Sequence, residues 1–162
     1  MKKPFKSKYS KVQNPVLVAM TNAAPITDER NEAWRREEND AMDAMALRRG
    51  NNIHWSRLVR MANVAEVMAK AGIGIEVVPV AAEAQVVLAQ VHERCRATGR
   101  WEMDMDEIHV MRELSEYHNL QRTAIPYGQF MQCFNRVVNI QKTGRVSTPK
   151  EILEQVNDLN AV

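Results

Sequence analysis

"NIHWSRLVRMANVAEVMAKAG", residues 52–72, and "PVAAEAQVVLAQVHERCRATG", residues 79–99, decide how this chain folds. In the first run Trp55, Leu58, Met61, Ala62, Ala65, Met68 and Ala69 recur at three- and four-residue spacings, the stripe that an amphipathic helix buries. In the second, Ala81, Ala84, Leu88, Val91 and Cys95 repeat the pattern. Gly72 and Gly99 stand where each helix must turn left-handed to finish, a conformation that glycine adopts without steric cost. Two such arms joined by a short turn predict a helical hairpin. A hairpin supplies a packing surface for other helices and no chemistry of its own.

The flanks extend the helical pattern in both directions. On the carboxyl side, Asp104 and Glu107 in "WEMDMDEIHVMRELSEYHNLQRT" (101–123) have the spacing of a capping box. Ile108, Met111, Leu114 and Tyr117 or His118 then form the inward face. Ile125 and Pro126 interrupt, and "YGQFMQCFNRVVNIQKTG" (127–144) predicts a further helix with Phe130, Phe134, Val137 and Ile140 on one side. In "STPKEILEQVNDLNAV" (147–162), Thr148 as cap, Pro149 at the first position and Glu151 predict a short terminal helix. The only β-like segment, "GIGIEVVPV" (72–80), has a proline and no second strand, so it reads as an extended connector.

On the amino side, Thr27 caps "DERNEAWRREENDAMDAMALRR" (28–49), which Gly50 is expected to stop. Its first half is almost entirely charged apart from Ala33 and Trp34, and only its second half looks buried. Trp34 in a charged ring has the character of an interface anchor, with Arg35 and Arg36 beside it; a solvated, protruding helix is the plainer alternative. Asn14 and Pro15 open "NPVLVAMTNAA" (14–24), a short helix apolar nearly all round at Val16, Leu17, Val18 and Met20. It should lie against the body as a plug; left exposed, it would be a partner-binding segment.

Residues 1–13, "MKKPFKSKYSKVQ", interleave lysines with Phe5 and Tyr9 and have no helical period. They read as a basic flexible arm, either a solubilising tail or a contact for nucleic acid in which Lys2, Lys3, Lys6 and Lys8 meet phosphates. The resulting organisation is an arm at 1–13, a helical domain at 14–146 and a short helix at 147–162.

With 162 residues the chain has room for one domain with a real core, built from Ala, Val, Leu, Ile and its ten methionines. A formal charge of +2 leaves any polyanionic partner to be met locally. Two cysteines without a C-x-x-C pair, and a basic start with no apolar core behind it, predict a reducing, cytoplasmic setting. No apolar run approaches the ~20 residues that span a bilayer, so no membrane partner is expected.

The series "HWSRLVRMANVAEVMAKAGIG", then "AEAQVVLAQVHERCRATGRW", then an "EI" helix with a histidine resembles small helical proteins of unknown function encoded in prophages. The opening "MKKPFKSKYSKVQNPV" resembles theirs as well. The likeness rests on helix-forming patterns and on His54, Trp55, Asn63, Gly72, Gln85, Gly99, Trp101 and His118, and stops near Gly144. It implies a mobile-element setting, in which small non-enzymatic proteins bind host machinery. It carries over no functional residue.

Enzymatic motifs are missing from the sequence: no G-x-x-x-x-G-K loop, no G-x-S-x-G elbow, no H-E-x-x-H. His92 with Cys95, and Asp106 with His109, offer two ligands each, short of the four that a structural zinc site needs. "VAEVMAKAGIG" (64–74) has helix-turn-helix spacing, but the following helix brings Arg94 and Arg96 too late to read base edges. The expectation is therefore an all-α protein, a mostly antiparallel bundle of four to five longer helices with short helices at both ends. No catalytic residue, metal or cofactor is assigned. The expected activity is binding to a host protein or protein complex through Trp34, Arg35 and Arg36, as a phage accessory protein or inhibitor. The alternative is nucleic-acid binding through Lys2, Lys3, Lys6, Lys8, Arg57 and Arg60.

Overall fold

The structure, a computed structural model, describes residues 14–144 and 147–160, and the side chains of those except 159 and 160. The lysine arm lies outside the described residues. Those residues are all-helical: α1 (Pro15–Ala23), α2 (Asp28–Ala46), α3 (Asn52–Lys70), α4 (Val77–Thr98), α5 (Met105–Thr123), α6 (Tyr127–Lys142) and α7 (Pro149–Asn160). No helix among them is long and apolar enough to cross a membrane. One isolated bridge, Pro25 with Pro126, is their only β-type pairing.

Local chemistry places most of the helix ends. Asn14, Thr27 and Asn51 accept backbone N–H groups at the starts of α1, α2 and α3. Asp104 and Glu107 complete a reciprocal capping box, Glu107 N to Asp104 Oδ1 and Asp104 N to Glu107 Oε2 both at 2.9 Å. Thr148 and Glu151 do the same for α7. Gly72 and Gly99 take φ of 90° and 73°, closing both arms of the hairpin as the sequence required.

Two apolar clusters fill the interior, and α3 contributes to both. Leu58, Met61, Ala62 and Ala65 pack against Ala41, Met42 and Met45 of α2, Ala84 and Leu88 of α4, and Met111 and Leu114 of α5. Around the helix, Val64 and Met68 meet Phe130, Cys133 and Val137 of α6. Small alanines let the helices approach, and the methionines fill the remaining irregular space.

Four expectations fail. α1 buries nothing: Val16, Leu17 and Met20 are 66, 63 and 66% exposed. It is tied to α6 by its polar side and its end, through Asn22 against Gly128 and Tyr127 N donating to Ala24 O at 2.9 Å. Gly50 does not end α2; Arg48 takes the left-handed conformation with φ 57°. Gly50 is glycine because a Cβ there would run into Met45 Sδ and the Trp101 carbonyl. The connector at 72–80 is shorter than read, because Val77–Val80 already belong to α4. Pro79 falls in the first turn, where its missing N–H has no intrahelical partner to lose.

The inward face of α6 is also shifted. Phe130, Cys133 and Val137 are buried, Phe134 is half-buried, and Ile140 reaches the surface.

Candidate functional site

Helical spacing brings four polar and aromatic faces to one place. α2 presents Asn31, Trp34 and Glu38; α3 presents Arg57, Arg60 and Val64; α5 presents Ser115, His118 and Arg122; α6 presents Phe130 and Phe134. Each set is three or four residues apart and therefore shares a side of its helix. Between them opens a cleft of about 170 Å³, lined by residues from all four helices. The cavities under α7 are larger, 270 and 420 Å³, but their walls are mainly apolar.

The floor of the cleft is a buried charge network. Arg122, 1% exposed, grips Glu38 with both terminal nitrogens, the Nη2–Oε2 distance being 3.1 Å. Its Nε donates to Asn31 Oδ1 at 2.9 Å, and Asn31 Nδ2 donates to Asn119 Oδ1 at 2.8 Å. Ser115 Oγ donates to Glu38 Oε2 at 3.5 Å. Burial pushes the Glu38 carboxyl above its ordinary value, against the pull of the Arg122 hydrogen bond and charge. A bidentate guanidinium clamp of this kind fixes both partners in one geometry.

His118 sits beside the pair and is neutral. Burial first, then the Arg122 charge, lowers its pKa from 6.5 to about 3, with the Gln121 hydrogen bond opposing. Its Nδ1 lies 3.2 Å from Gln121 Oε1, while Gln121 Nε2 donates to Ala65 O at 3.1 Å and Ile73 O at 2.8 Å.

Aromatic rings form the walls. Trp34 packs on Phe130 with centroids 4.8 Å apart, and Phe130 is 6.2 Å from both His118 and Phe134. The Arg122 guanidinium lies 5.9 Å from the Trp34 ring. At the rim, Arg57 Nε is 3.6 Å from Glu37 Oε2, and the Arg60 guanidinium stands 5.8 Å over Phe134.

The cleft thus joins residues that the sequence assigned to different functions: Trp34 from the protein-docking set, Arg57 and Arg60 from the nucleic-acid set. Trp34 is half-buried with its ring turned onto Phe130. Arg35 pairs with Glu116 at 3.1 Å, and Arg36 is exposed. Lys2, Lys3, Lys6 and Lys8 lie outside the described residues. His92 and His109 are elsewhere, His92 tilted against Trp55 and Trp101 with ring centroids 5.0 and 5.9 Å away and His109 exposed. Among the described residues, no three His, Cys, Asp or Glu side chains gather as metal ligands would.

Sequence reasoning missed Asn31, Glu38, Ser115, Gln121 and Arg122. The signal was there in α5, where positions 108, 111, 115, 118 and 122 continue one stripe that turns from apolar to polar. Comparison with protein-family models, with curated proteins and with solved structures finds no match.

Proposed function

We propose that the protein is a non-enzymatic accessory protein of a phage or prophage that binds a host protein assembly and alters its activity, as an inhibitor of a defence or transcription system would. The observation that carries this reading is α1. Its Val16, Leu17 and Met20 stand more than 60% exposed on one short helix that is anchored to α6 at its far end. Solvent does not reward three large apolar side chains side by side; a partner that covers them does. The mostly antiparallel packing of the longer helices is taken as the rigid scaffold that holds α1 in place. Arg36 of α2 adds an exposed cation for electrostatic steering, and Trp34 and Arg35 are held close behind it on the same helix.

Affinity capture from a bacterial host lysate with the intact chain tests this. A defined partner is expected, lost on Leu17→Asp and Met20→Asp while the unfolding transition stays unchanged, because neither residue is buried. Capture that survives both substitutions moves the interface off α1. Trp34→Ala then decides whether α2 takes its place.

A further inference from the structure

The floor of the cleft has a fixed donor and acceptor order. Both N–H groups of the Gln121 amide go to carbonyls, Ala65 O and Ile73 O, so Oε1 is an acceptor and the His118 nitrogen facing it must be Nδ1–H. His118 Nε2 therefore carries a lone pair, and it has no protein partner among the described residues. Burial and the Arg122 charge keep that nitrogen from protonating, so it stays an acceptor. One turn along α5, Arg122 uses three of its five N–H groups on Glu38 and Asn31. His118 and Arg122, one turn apart on α5, both line the cleft.

Such a floor selects its ligand. A carboxylate offers only acceptors and would meet the His118 lone pair without a proton to share. A nucleobase edge sets an N–H donor beside a ring acceptor, the complement of Arg122 and His118. Its flat face matches the aromatic wall of Trp34 and Phe134, both half-buried at the cleft, and bases stack on such rings with little sequence preference. Its phosphate has Arg60 at the rim, which has no carboxylate within ion-pair distance among the described residues, and Arg57, whose pair with Glu37 is loose at 3.6 Å. The volume of about 170 Å³ suits one ring system.

We propose that the cleft between α2, α3, α5 and α6 is a binding site for one nucleotide unit, base inward on Arg122 and His118 and phosphate outward on Arg60 and Arg57. The unit is either a free mononucleotide or one nucleotide of a single strand. This goes beyond the protein-docking reading, which rests on α1, and either can fail alone.

The test titrates the intact chain with AMP, GMP, CMP and UMP, and with a short single-stranded oligonucleotide, following tryptophan fluorescence and the His118 ring resonances. Inorganic phosphate and a glutamate-rich peptide are run beside them. At least one nucleotide ligand is expected to quench fluorescence and shift His118. Arg60→Ala should weaken that binding about tenfold, the loss of one charge-assisted contact. His118→Gln should change which base binds best; should it not fold, exposed Arg60→Ala carries the test alone. Tighter binding of the oligonucleotide identifies the source as a single strand, and tighter binding of a mononucleotide identifies a free ligand. The proposal is overturned by silence of every nucleotide at about 1 mM, by undiminished binding to the Arg60→Ala variant, or by phosphate or the peptide binding as tightly.

Discussion

Between α3, α4 and α5 the chain buries Leu58, Ala62, Ala84, Leu88, Met111 and Leu114; further along the same side of α5, against α2, it buries Glu38, His118 and Arg122. The first region is held by transfer of apolar surface out of water and by close packing, which many similar side chains can supply. The second is held by matched partners, and each group there depends on one other group being present. An apolar core degrades by increments, whereas a buried ion pair fails as a unit.

The sharpest way to break that contrast is Glu38→Ala. It strands the Arg122 guanidinium in an interior where it is 1% exposed, and should cost about 3–5 kcal/mol in chemical denaturation. Replacing both, Glu38→Leu with Arg122→Met, should recover most of that loss, because the desolvation of two charges is then no longer required. A single variant that loses under about 1 kcal/mol would mean the pair behaves as a surface salt bridge. Leu58→Ala in the apolar region should cost about 2–5 kcal/mol through lost transfer energy and a cavity, and no second substitution of the same kind should restore it. The difference between rescue and no rescue is what separates the two regions.

The same contrast explains what could be read from the sequence. Apolar stripes and caps are local: Leu58, Met61 and Ala65 announce themselves within two turns, and so do Asp104 with Glu107 and Thr148 with Glu151. The cleft is assembled from residues eighty-four positions apart, as Glu38 and Arg122 are, and no local period encodes that pairing. Arg122 even falls on the inward stripe of α5, but a lone arginine is ordinarily placed in water. For the inward position left open between Tyr117 and His118, the structure buries His118 and leaves Tyr117 half-covered. α1 failed for another reason. Its apolar residues were real, but burial also needs a surface to receive them, and Asn22 against Gly128 turns the polar side inward.

Acid should discriminate the two regions as well. The His118 pKa is depressed on folding, so the unfolded chain binds a proton that the folded chain refuses. That contribution is fully present above 6.5 and is lost as pH falls toward about 3, at up to about 1.4 kcal/mol per pH unit. Glu38 acts in the opposite sense nearer 4.5, where protonation relieves a carboxylate that burial disfavours. Denaturation of the native chain between about pH 6.5 and 5 should therefore show the His118 slope most cleanly. His118→Gln should flatten it while leaving the Leu58→Ala deficit unchanged. Equal slopes in the native and His118→Gln chains would show that His118 charges freely.

The smallest effect belongs to Asp104→Ala, and it probes the boundary between the regions. Asp104 caps α5 through Glu107 N, and Glu107, 8% exposed, returns the bond to Asp104 N while pairing with Arg94 at 2.7 Å. Removing the Asp104 carboxylate leaves Glu107 still held by Arg94, whose Nη2 also donates to the Glu102 carbonyl at 2.9 Å. A cost of about 1 kcal/mol is then expected, the ordinary loss of one cap. If α5 were positioned mainly by its start, the loss would spread to the cleft and weaken Arg60-dependent nucleotide binding. If the Glu38 clamp at Arg122 fixes α5 from its other end, binding should be untouched, and that is the outcome the buried network requires.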